Sequence, residues 1–109
     1  MTASVPDEGP ITFINVFDIA EEEIDTFVAK WEERAPLLTS AEGFICAELH
    51  RAYDDDTRFR VVNVTKWQSH AHFAAATRAP EFQAGLAGYQ QTAPWTPYRG
   101  FYRTAAKFD

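Results

Sequence analysis

Two asparagines set among aromatic and β-branched residues are the groups in this 109-residue sequence best suited to chemistry. Asn15 lies in Ile11 to Asp18 (ITFINVFD), and Asn63 lies in Phe59 to Phe73 (FRVVNVTKWQSHAHF). Period-two alternation puts Phe59, Val61, Asn63, Thr65 and Trp67 on one face of a strand, with Arg60, Val62, Val64 and Lys66 on the other. The same rule sets Ile11, Phe13, Asn15 and Phe17 against Thr12, Ile14 and Val16. An amide on an apolar strand face costs free energy unless it is hydrogen-bonded, so each is either a satisfied structural group or part of a site. Two placed alike in two strands favour a site. Such amides can donate to a ligand oxygen and stabilise negative charge on it. Trp67 shares the face of Asn63 roughly 13 Å along the strand, and its indole could stack on a ring.

Other chemistry is thinly represented. His50, His70 and His72 are the side chains that titrate near neutral pH when unperturbed. His70 precedes Phe73 by three residues on one helical face, which makes it the candidate general base. No serine or cysteine nucleophile has a histidine partner, and there is no glycine-rich phosphate loop or Cys/His metal cluster, so no metal site is expected. Asp54, Asp55 and Asp56 lack the ligand spacing and turn glycine of a calcium loop and are expected to form a turn. The lone cysteine, Cys46, permits no internal disulfide and is expected to be a small buried hydrophobe.

Composition narrows the partners. The net charge of −6 argues against nucleic acid and anionic membranes, both of which require a basic footprint. Aromatic residues make up 15% of the chain, with nine Phe, four Tyr and three Trp, enough for a ring-lined pocket or interface besides a core. No stretch reaches the length of a membrane span and the first residues lack a signal-peptide pattern, so a cytoplasmic protein is expected.

The elements that must position these residues follow in order. Residues 1–10 are expected to form a flexible arm and residues 11–109 a single domain. After the Ile11 to Asp18 strand, acidic Glu21, Glu22 and Glu23 open a helix from Ala20 to Ser40. Ile24, Phe27, Val28 and Trp31 form its apolar stripe, and Pro36 is expected to kink or end it. Gly43 closes the connection to a strand from Phe44 to Tyr53, which puts Phe44, Cys46, Glu48 and His50 on one face. Ser69 caps a short helix running to Arg78, and Pro80 starts a further turn with Phe82 and Leu86 spaced i, i+4. Tyr89 to Tyr98 is expected to be a loop, and Arg99 to Phe108 a last strand. The order β-α-β-β-α-β is that of a ferredoxin-like split βαβ fold, an α+β domain with a four-stranded antiparallel sheet. Its helices cover one face. Val62, Val64, Ile14 and Val16 make the other face apolar too, which implies a homodimer with facing sheets.

The run N-V-T-K-W-Q-S-H-A-H-F with the following A-P-E-F resembles the antibiotic biosynthesis monooxygenase family, as do F-V-A-K-W-E and G-F-I-C-A-E-L-H-R. The resemblance covers Ile11 to Leu86 and implies a dimeric α+β barrel. The family's small polyketide oxygenases oxidise an anthrone or related phenol to a quinone with O2 and no cofactor. Their cleft asparagine and tryptophan correspond to Asn63 and Trp67. A family tyrosine proposed to handle a proton falls at Phe73, which cannot do so. In the haem-degrading branch, the strand asparagine and the tryptophan correspond to Asn15 and Trp67, but the iron-ligating histidine falls at Leu86.

On this reading an aromatic substrate is stacked by Trp67 and Phe73 and walled by Phe13, Phe17, Trp31, Phe82 and Leu86. Asn63 and Asn15 donate to its oxygen, and His70 takes the proton. No cofactor is required, although neither haem nor flavin is excluded by the residues. A haem-degrading enzyme, a non-oxidative polyketide cyclase or rearrangement enzyme, and a binding module without turnover are the alternatives. Spacing leaves open whether Arg34, Arg78, Tyr98 or Tyr102 reaches the cleft.

Overall fold

The structure, a computed structural model, describes residues 8–84 and 96–109. Strand β1 (Glu8–Asp18) leads through a 3-10 turn (Glu21–Glu23) into helix α1 (Ile24–Thr39). Strands β2 (Phe44–Arg51) and β3 (Val61–Ser69) follow, then helix α2 (His70–Arg78) and strand β4 (Thr96–Tyr102). The strands form one sheet in the order β2-β3-β1-β4, and each neighbouring pair is antiparallel. Strands 1 and 2 are connected through α1 and separated by β3, as in the expected ferredoxin-like α+β fold.

Alternation along β1 and β3 holds as expected. Ile11, Phe13, Phe17, Val61, Thr65 and Trp67 are buried on the side covered by the helices, whereas Ile14, Val16, Val62 and Val64 on the outer side are only half-buried. One core cluster joins Phe17, Ile19, Ile24, Phe27 and Val61, with Val28, Trp31 and Leu49 packed against it.

Several boundaries differ from the sequence expectation. Strand β1 starts at Glu8, so the end of the expected arm is already sheet; Gly9, at φ 106°, takes up a register irregularity between Glu8 and Ile11. Residues 1–7 lie outside the described residues. Helix α1 runs one turn past the expected break because Pro36 sits in its last turn, where the Pro36 carbonyl accepts from the Ser40 backbone N–H. The acidic run at its start is more than a solvated face, since Glu21 meets Arg60 at 3.0 Å and Asp25 meets Arg51 at 2.8 Å. The last strand begins at Thr96, three residues earlier than expected, and ends at Tyr102.

The main correction lies in β2. Phe44 pairs with Trp67 but Cys46 pairs with Lys66, so Ile45 is an extra residue in a bulge. Phe44 therefore shares the helix side with Ala47 and Leu49, while Cys46, Glu48 and His50 face outward. Cys46 is exposed, not buried. The aspartate run forms the expected turn: Asp54 Oδ1 accepts from the Thr57 hydroxyl and from the backbone N–H groups of Asp56 and Thr57. The Thr57 hydroxyl, with those N–H groups, holds the Asp54 carboxyl below its ordinary value. No helix among the described residues is long and apolar enough to cross a membrane.

Helix α2 is set by Ser69, whose Oγ accepts from the His72 N–H and lies 2.7 Å from His72 Nδ1. The His72 ring packs over Gly43, which has φ 86°, and a Cβ at residue 43 would overlap that ring. Gly43→Ala should therefore destabilise the fold by more than about 1 kcal/mol, since both backbone strain and a clash with α2 oppose it. A lowered thermal midpoint checks this.

Candidate active site

On the helix side, the strand registers stack the side chains in rows across the sheet. One row is Ala47, Thr65, Phe13 and Phe101; the next is Leu49, Asn63, Asn15 and Arg99; the next is Arg51, Val61, Phe17 and Pro97. The two asparagines are thus direct cross-strand neighbours, with Cβ atoms about 5 Å apart in this geometry. A polar row lies between two largely apolar ones.

Helix α1 lies over this row. Phe27, Trp31, Arg34 and Leu38 recur at helical spacing and face the sheet across a cavity of about 620 Å³. Trp31 Nε1–H donates to Asn63 Oδ1 at 3.2 Å. That bond fixes the orientation of the amide: the Asn63 oxygen is occupied, and its NH2 group remains to donate. Asn15 is different. Its Oδ1 is buried and has no hydrogen-bond partner among the described residues. The row therefore presents the Asn63 NH2 group, while the Asn15 oxygen is closed off from solvent. An orphaned buried acceptor costs on the order of 1–3 kcal/mol.

Rings close the cavity at both ends. Phe13, Phe73 and Phe101, from β1, α2 and β4, form a triangle with centroid separations of 4.8, 5.2 and 5.0 Å. At the other end Phe17 meets Phe27 edge-on at 4.5 Å. Phe82, 8% exposed, adds a wall from the helical turn that follows α2.

Most of the expected residues converge here. Asn15, Asn63, Phe13, Phe17, Trp31, Phe73 and Phe82 all line the cavity. Trp67 and His70 do not. Trp67 is on the expected face, but its indole is fully buried under Phe44 and Phe73, with Nε1–H donating to Thr65 Oγ1 at 3.1 Å. It supports the wall from behind and cannot stack on a ligand in the cavity. His70 sits in the first turn of α2 with an exposed side chain, its ring against Phe101 at 4.7 Å. Leu86 lies outside the described residues. Arg34, which spacing left open, lines the cavity three residues beyond Trp31 on the same stripe, and Arg99, which was not among the expected residues, lines it too. Arg99 could not be found without the register of β4.

Comparison with known proteins agrees with this geometry. Residues 10–88 match the family described as antibiotic biosynthesis monooxygenase. The chain belongs to that family. Solved structures share its fold at low identity. SnoaB, a cofactor-independent oxygenase from Streptomyces nogalater, is 23% identical with a TM-score of 0.74, over 91% of this chain and 96% of its own. A candidate monooxygenase from Shewanella loihica PV-4 is 22% identical with a TM-score of 0.71, over 92% and 98%. A candidate antibiotic biosynthesis monooxygenase from Caulobacter crescentus CB15 is 13% identical with a TM-score of 0.75, over 92% and 93%. No curated protein matches the chain at a significant level.

The described walls of the cavity carry no histidine, cysteine, methionine or tyrosine that could serve as an axial haem ligand. Among the described residues no three His, Cys, Asp or Glu side chains group as a metal site.

Asn15 tests whether the polar row is kept for ligand or for stability. Asn15→Leu, similar in volume, removes the orphaned acceptor and should raise stability by about 1 kcal/mol, moving the melting midpoint up by about 4 °C. A fall in the midpoint would mean that the amide serves the fold.

Proposed function

We propose that this protein is a cofactor-independent monooxygenase that oxidises an electron-rich phenol or anthrone of the aromatic polyketide type to a quinone with O2. The observation that carries the reading is the amide pair: an Asn63 NH2 oriented by Trp31 beside an unsatisfied Asn15 oxygen, under a ring-lined cavity. Asn63 would donate to the keto oxygen of the substrate, with the rings of Phe13 and Phe73 flanking it.

The chemistry balances without a cofactor. Loss of a proton from the ring CH2 gives an enolate, whose oxygen Asn63 stabilises. One electron passes to O2, and the radical pair combines to a peroxide at that carbon. Breaking the O–O bond as the remaining C–H proton is lost leaves a carbonyl and water. The CH2 thus loses four electrons and O2 takes up four.

The described cavity wall carries no group that titrates near neutral pH, and Phe73 has no hydroxyl. The substrate's own acidity therefore governs the proton step. With an oxygen electrode and an anthrone, kcat/KM should rise with pH through the pKa of the substrate and shift when a more acidic substrate is used. A break that stays fixed across substrates would reveal a base on the protein, for which His70 is the first residue to test. Asn63→Ala should lower kcat about 100-fold, the scale of losing one oxyanion donor, in a chain that still folds but melts lower because the Trp31 N–H loses its acceptor. Turnover without O2 consumption would remove the oxygenase reading and favour a cyclase.

The active unit in this reading is a homodimer. The outer sheet face carries Ile14, Val16, Val62 and Val64 at its centre, with Tyr98 and Tyr102 exposed beside them at 49% and 53%. A second copy laid sheet to sheet would cover this patch. Sedimentation should give a dimer for the native chain and a folded monomer for Val64→Glu. A native monomer at micromolar concentration would overturn the assignment.

A further inference from the structure

We infer that the substrate carries a carboxylate, held by Arg99 with Arg34 at the open side of the amide row. The inference rests on the cavity being the substrate site. Acidic residues outnumber basic ones 16 to 10 in this chain, yet the ionisable side chains among the described lining residues of the cavity are Arg34 and Arg99. The charge of the cavity is opposite to that of the molecule. Arg99 stands next to Asn15 across the β1–β4 pair, so its guanidinium continues the row of Asn63 and Asn15. It forms no ion pair with any described residue. Arg34 comes from the opposite wall. It lies three residues beyond Trp31, on the stripe that covers the same row, and its guanidinium carbon is 5.8 Å from the centroid of the Phe82 ring. A planar, permanently charged fork at the end of the amide row, with a second on the covering helix, matches a carboxylate substituent on a ring system whose keto oxygen meets the Asn63 NH2.

The enolate formed during turnover is also anionic, so the experiment must separate a permanent charge from a transient one. Anthraquinone-2-carboxylic acid and its methyl ester, already oxidised and unable to form that enolate, are the probes, with tryptophan fluorescence and calorimetry as readouts. The native protein should bind the acid at least about tenfold more tightly than the ester, the scale of a charged hydrogen bond, and lose that margin in high salt. Arg99→Gln should bring the acid down to the level of the ester without weakening the ester, which also shows that the variant is folded. Arg99→Lys should keep part of the preference, and Arg34→Gln should reduce it. Equal binding of acid and ester to the native protein overturns the inference; binding of neither overturns it together with the cavity as the substrate site. A clear acid preference without O2 uptake from the corresponding anthrone acid would leave the inference standing and remove the oxygenase reading.

Discussion

The bond from Trp31 to Asn63 is the interaction on which the rest of the site depends. It crosses from the covering helix to the middle of the sheet, and it is made by the one donor atom of an otherwise apolar ring. Because indole nitrogen can only donate, the amide must present its oxygen to the helix and its NH2 elsewhere. The same contact holds α1 above the sheet at its polar row. The space beside it is bounded by rings from β1, α1, α2 and β4 and is not filled by a side chain of the described wall.

That arrangement also accounts for the division of labour between the aromatic residues. Phe17, Phe27, Ile24 and Val61 close one end as ordinary core. Phe13, Phe73 and Phe101 close the other, and Trp67 stiffens it from behind with its nitrogen already satisfied. Burial of this kind stabilises the fold in proportion to apolar area, so the enclosure costs little beyond what any core of this size requires. The cost is concentrated at Asn15, whose oxygen is shielded from water and unmet by any described residue.

Much of this was legible because a strand has period two. Parity alone put Asn15, Asn63, Phe13 and Phe17 on one side of the sheet and Ile14, Val16, Val62 and Val64 on the other. Helical spacing placed Phe27 and Trp31 toward the sheet, and the Ser69 cap located α2. What escaped depended on events that parity cannot register. The bulge at Ile45 turned Cys46 outward and Phe44 inward. Trp67 shares a face with Asn63, but only packing by Phe44 and Phe73 decides that it lies behind the wall. His70 meets Phe73 as helical spacing grouped them, but its exposed ring packs more closely on Phe101 and does not line the cavity. Arg99 became part of the site through long-range pairing with β1, a contact that no local pattern encodes.

Strand β1 serves two masters. Its residues Phe13, Asn15 and Phe17 floor the hollow, while Thr12, Ile14 and Val16 form the back of the sheet, and both neighbours are hydrogen-bonded to it. Removing or adding a single residue within Phe13 to Phe17 would put the residues on one side of the change out of phase with β3 and β4, turning inward groups outward. The length of this strand is therefore under tighter control than the identity of most of its side chains. Descendants of such a chain can be expected to vary by substitution here, and to accumulate insertions in the turn after Tyr53 instead.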